Sequence, residues 1–155
     1  MAVPLTTSDL FFDSLLRELK GQLTREAALA ASNDAVSRIT ERVQRKGLDQ
    51  DLQQFSPYSS SYADIRKEAG RQTAYKDFTF TARTFSSVQT LQATVDGDRT
   101  IVVIDSNNQT GRDIIRWNSE REGKAILAPT AQEIKQAGQT YVNEVVRRLE
   151  RVLVQ

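Results

Sequence analysis

The spacing of apolar residues along this chain switches from a helical period to a period of two and back again, and few folds accommodate that order. Before Gly47, Leu10, Phe11, Leu15, Leu16 and Leu19, then Ala28, Ala31, Ala35, Ile39 and Val43, recur at helical intervals. After Lys76, Phe78 and Phe80 alternate with Thr79 and Thr81, and Leu91, Ala93 and Val95 alternate with Gln92 and Thr94. From Thr130 the helical interval returns. This order predicts an α+β fold: N-terminal helices, a small antiparallel β-sheet with a hairpin, and a long C-terminal amphipathic helix packed on the sheet. A chain of 155 residues suits one domain, 1–155, with a helical region over 8–46, a loop over 48–76, a sheet with a short helix over 77–128 and the C-terminal helix over 130–153.

Local signals set the boundaries. Ser8 is suited to cap the first helix, with Asp9 favourable in its first turn. Gly21 with Thr24 predicts a break or kink, followed by a second helix from Thr24 to Lys46 whose Ala-rich face admits a close neighbour. Gly47 is placed to end it in a left-handed cap. Leu48 to Gln72 reads as irregular and polar. Pro57 forces Ser56 away from helical angles, and a short helical turn over Tyr62–Ala69 ends at Gly70. Asp77 to Thr81 reads as a half-buried strand. Asp96-Gly97 suits a tight turn, so Leu91–Ile104 is expected to be a β-hairpin, with Thr100–Ile104 buried on both faces. Thr110–Arg121 predicts a short helix carrying Ile114, Ile115 and Trp117, broken at Glu122-Gly123-Lys124, and Ala125–Leu127 a further short strand. Thr130 and Glu133 form a capping box. Ile134, Gly138, Tyr141, Val145, Leu149 and Val152 then make one apolar stripe, which Val142 and Val146 widen.

The chemistry open to the chain is narrow. It has no Cys and no His, so zinc sites of the Cys/His type, Cys nucleophiles and His-based triads are excluded. Its 21 basic and 20 acidic residues leave a net charge of +1, whereas a dedicated nucleic-acid binder carries a basic excess or stripe. No apolar run approaches the roughly 18 residues that a membrane span needs. The start, MAVPLTTSDLFF, lacks a basic region followed by an apolar stretch, so neither a membrane partner nor a secretory signal is expected.

The remaining candidates weigh towards the plain reading. Asp96, Asp98 and Asp105 offer carboxylates to a divalent cation, but Asp-Gly-Asp is ordinary hairpin chemistry. Ser59, Ser60 and Ser61 precede Lys67 without the strained turn that a nucleophilic Ser needs. The glycines match no phosphate-binding loop. Arg66, Lys67, Arg71, Tyr75 and Lys76 cluster, but Glu68 and Asp77 stand among them and weaken any pull on phosphate. The sequence therefore predicts no enzyme: no catalytic residue, no cofactor and no metal.

One stretch carries a resemblance. Ile39–Gly47, Leu48-Asp49, Phe55-Ser56-Pro57-Tyr58-Ser59, Tyr62, Gly70-Arg71-Gln72 and Asp77–Thr81 follow one another as in the neck and tail-completion proteins of tailed bacteriophages. Those proteins run from a helical region through an "apolar-Ser/Ala-Pro-Tyr-Ser" loop to an "apolar-Thr-Gly" strand, a hairpin and a C-terminal helix. Here Ala82 stands where the Gly would be. The resemblance covers Ile39 to Leu153. It implies a ring-forming structural protein of the virion, assembled in the host cytoplasm, at the head–tail junction or tail top. Its implied partners are copies of itself and adjacent connector and tail proteins, with non-specific contact to DNA in the channel. Tail termination is the alternative role, and a small nucleic-acid-binding or regulatory protein the alternative class.

A ring needs two different faces on each copy. Phe55, Tyr58 and Tyr62 in the loop, and Tyr141, Val142 and Val146 on the last helix, are the expected interface residues, because aromatic and apolar groups dominate such contacts. For Phe55 and Tyr58 the alternative is that they pin the loop to its own domain.

Overall fold

The computed structural model describes residues 7–79, 83–96 and 99–153. A single long helix, α1 (Thr7–Glu41), continues through one wider turn of π-helix over Arg42–Lys46. Gly47 closes it at φ 66°, as its position predicted. A side chain at Gly47 would collide with the ring of Tyr75, so close packing as well as dihedral angle calls for glycine there. The expected break at Gly21 does not occur. A mid-helix glycine costs only about 1 kcal/mol, and the Thr24 hydroxyl, expected to start a new helix, donates instead to the Gly21 carbonyl at 3.0 Å.

After α1 come α2 (Ser60–Glu68), the single turn α3 (Arg83–Ser86), strands β1 (Val88–Asp96) and β2 (Arg99–Ser106), α4 (Gln109–Glu122) and α5 (Ala131–Leu153). β1 and β2 pair antiparallel from Val88↔Ser106 to Asp96↔Arg99, so the hairpin forms where expected. Its turn, Gly97-Asp98, lies outside the described residues. The register slips between Thr90 and Gln92, which leaves Leu91 unpaired and 42% exposed.

The layers stack through α1. One side of α1 lies against both strands, and α5 runs along the other, so α5 sits over the sheet by way of α1. The small residues Ala27, Ala28, Ser32 and Ala35 are buried between these neighbours, and the Ser32 and Thr90 hydroxyls bond at 2.5 Å. The apolar core gathers at one end of α1: Ile39, Val43, Phe55, Phe85, Val88 and Ile126, with Phe78, Ile104 and Ile115 against them.

Three strand expectations fail, each for a visible reason. Asp77–Thr79 is not a strand: Phe78 sits at φ 52°, and the Thr79 amide and carbonyl are taken by the side chains of Asp77 and Arg66 rather than by a neighbouring strand. Phe80 and Thr81 lie outside the described residues. Ala125–Leu127 is a turn closed by the Ala128 amide on the Ala125 carbonyl at 3.2 Å. Thr100–Ile104 is not buried on both faces, for Ile101 is 53% and Val103 41% exposed while α1 covers the opposite side. The short helix expected over Tyr62–Ala69 starts earlier, at Ser60.

Candidate interaction surfaces

The capping box of α5 forms as read from the sequence. The Glu133 amide donates to the Thr130 hydroxyl at 3.0 Å, and the Thr130 amide to the Glu133 carboxylate at 2.7 Å. Glu133 has a second task, accepting from Arg42 at 2.9 Å. That contact begins a polar seam along α1. Arg38 donates to Gln136 at 3.0 Å, Thr140 donates to Asp34 at 3.1 Å, and Arg148 pairs with Glu26. The bond from Arg38 and the one from Thr140 hold the Asp34 carboxyl below its ordinary value of 3.8, against burial, which raises it.

Glu133, Gln136, Thr140 and Arg148 lie on one face of α5 at helical spacing, and that face meets the fold. The apolar stripe therefore points elsewhere. Ile134 is 59% exposed, Val142 52%, Val146 49% and Leu149 43%, while Tyr141 and Val145 are half-buried along its edge. An amphipathic helix ordinarily turns its apolar face inward. Here the polar face is inside.

The loop residues divide. Phe55 is 5% exposed and meets Phe78 edge-on at 4.9 Å between ring centres, so it pins the loop to its own domain. Tyr58 is pinned too: its hydroxyl donates to Asp77 at 2.9 Å and accepts from the Asp77 amide at 3.2 Å. Burial pushes its phenol up to about 12. Yet Tyr58 also walls a surface groove of about 490 Å³ with Pro57, Tyr62, Phe78, Ile114 and Trp117. Tyr62 stands edge-on to Tyr58 at 5.2 Å. Opposite them Trp117 is 54% exposed, with the Arg121 guanidinium 4.6 Å over its ring. The loop and the last helix thus contribute to separate surfaces, and the structure does not bring their residues together.

Two of the four cations of the basic cluster are turned inward. Arg66 is 1% exposed and donates to both Asp77 oxygens, at 3.0 and 2.9 Å, and to the carbonyls of Gln72 and Thr79. Lys76 pairs with Glu122 at 2.5 Å. Burial raises the Asp77 carboxyl, but bonds from Gln72, the Thr79 amide and Tyr58 outweigh it and hold it below 3.8. Arg66 and Lys76 fasten the loop and are not displayed to phosphate, whereas Lys67 and Arg71 face solvent.

Asp49 works in the same way. It is 1% exposed, accepts from the amides of Asp51 and Gln53 at 2.8 Å each, and pairs with Lys124. Burial raises its carboxyl and those partners bring it below 3.8. Among the described residues no three metal-ligating side chains converge, and no helix is long and apolar enough to cross a membrane. Ser60 and Ser61 begin α2 and Lys67 lies in its last turn.

Comparison with known protein families, with characterised proteins and with solved structures gives no match.

Sequence reasoning placed Ile114 and Trp117 on α4 without assigning them to a surface. Ile115 packs towards the core while Ile114, Trp117 and Arg121 share the outer face. Their i, i+3 and i+4 spacing was the available signal. The buried partners of Arg42 had none, because they lie far along the chain or on the backbone.

Proposed function

We propose that this chain is a structural virion protein of a tailed bacteriophage, a ring-forming neck or tail-completion component that joins the head connector to the tail. The observation that carries the assembly role is the exposed apolar stripe of α5, Ile134–Val142–Val146–Leu149, on a helix fastened to its own fold by its polar face. The phage setting rests on the resemblance over Ile39–Leu153.

The energetics favour assembly on neighbours over a free pair. Covering what remains exposed of those four side chains contributes roughly 3–6 kcal/mol. Association itself costs on the order of 4–15 kcal/mol, so the stripe alone holds two copies weakly. A ring seated on a neighbouring ring adds further contacts for each copy.

A stock of virions that lack this protein tests the proposal. Such particles should be tailless and should gain tails when the purified wild-type chain is added. Mass measurement of complete particles should find the protein in low copy number. The folded double variant Val142→Asp, Val146→Asp should fail to restore tails. Normal tailed particles formed in its absence would contradict the phage role, and full restoration by the double variant would contradict the α5 contact.

A further inference from the structure

The groove between α4 and the 57–62 loop has a chemistry that the ring proposal does not use. Its walls are Pro57, Tyr58, Tyr62, Phe78, Ile114 and Trp117, an apolar and aromatic lining open to solvent. Its polar fittings are few: Ser59, Lys76, Thr84, Asn118 and Arg121, with no carboxylate among the lining residues. Lys76 is already matched by Glu122 behind it. Asn118 donates back to the Ile114 carbonyl within α4. Arg121 is different, since among the described residues it makes no ion pair and its one partner is the face of Trp117. A guanidinium stacked on an indole keeps its N–H edge free for an acceptor, and a carboxylate matches that edge in two-pronged fashion.

We infer that this groove seats an extended segment of a neighbouring protein, one that sets a proline or another bulky apolar side chain beside an acidic residue. The apolar side chain enters between Trp117 and the tyrosines, and the carboxylate meets Arg121. The volume of about 490 Å³ takes two or three side chains, which suits a strand of peptide rather than a whole helix. Aromatic-lined grooves favour extended proline-bearing segments because such segments lose little entropy on docking. Single-stranded nucleic acid also stacks on aromatic rings, but it brings a phosphate with every nucleotide, and one unpaired cation gives little attraction for such a chain. The inference is independent of the α5 stripe and of the phage setting.

Trp117 is the only tryptophan of the chain, so its emission reports on the groove alone. The full-length protein is used to select from displayed random peptides of about 12 residues. The enriched peptides should carry Asp or Glu within two positions of Pro or an aromatic residue and should shift Trp117 emission to the blue. Arg121→Gln should weaken them roughly tenfold, and an Asp→Asn change in the peptide should cost the same factor and add nothing to Arg121→Gln. Arg121 is exposed, and an unchanged circular dichroism spectrum establishes that the variant is folded. A selection that yields no binder, or peptides without an acidic residue, overturns the inference. So do peptides held equally by wild type and Arg121→Gln, or a stronger Trp117 shift from oligodeoxythymidine than from any peptide. Loss of tail restoration by the α5 variant with peptide binding intact separates this site from the assembly face.

Discussion

The segment from Leu48 to Thr79 and the helix α5 are opposites. The first reads as a polar loop, yet three of its charged side chains are inside: Asp49, Arg66 and Asp77 are each 5% exposed or less. The second reads as an apolar stripe on a polar rod, yet Ile134, Val142, Val146 and Leu149 of that stripe are outside. In the loop, charge replaces the regular backbone ladder: Arg66 bonds the carbonyls of Gln72 and Thr79, Asp49 bonds the amides of Asp51 and Gln53, and Arg42 reaches the carbonyls of Leu48 at 2.8 Å and Ala128 at 2.8 Å. In α5, charge replaces the apolar seam by which a helix normally attaches. Amphipathic spacing thus shows that a helix has two faces and leaves open which one meets its own domain.

The sharpest way to break this comparison is to remove a buried charge. Arg66→Met should destabilise the fold by about 3–5 kcal/mol, since it strands the Asp77 carboxylate and two loop carbonyls, and urea unfolding measures it. Arg42→Met should fall towards the lower part of that range, about 3 kcal/mol, because Glu133 keeps its bonds to the α5 cap. If either variant is as stable as wild type, the loop is held by something other than these knots. Phe55→Ala, a plain cavity in the core, should cost roughly 3 kcal/mol and calibrates the other two.

Acid should act on the same knots. Asp49, Asp77 and Glu122 all have carboxyls held below their ordinary values of 3.8, 3.8 and 4.5. Each binds a proton less readily folded than unfolded, so its contribution is complete above about pH 5 and is lost as pH falls through and below those values. Thermal unfolding should be flat from pH 7 to about 5 and should then drop. A drop that begins near neutrality would contradict the assignment.

Much of the fold was legible from local rules. The Gly47 cap, the Thr130–Glu133 box and the hairpin around Asp96-Gly97 depend on neighbours a few residues away, and each stands where the sequence placed it. The failures were decisions made at a distance. Phe78–Thr79 had the alternation of a strand, but Arg66 and Asp77 claimed its backbone. Gly21 had the look of a break, but α1 passes through it. Of the expected contact residues, Val142 and Val146 are exposed, Tyr141 lies at the edge of the stripe, Tyr58 and Tyr62 wall the groove, and Phe55 is core. Arg121 escaped notice because its value lies in the edge that its stacking on Trp117 leaves free.

The smallest expected effect bears on the central claim most directly. Urea unfolding of dilute Val142→Asp, Val146→Asp should match wild type within about 0.5 kcal/mol, because both side chains already face water. A loss of about 2 kcal/mol or more, the cost of forcing charge into a buried seam, would mean that the apolar face of α5 belongs to the interior of its own domain.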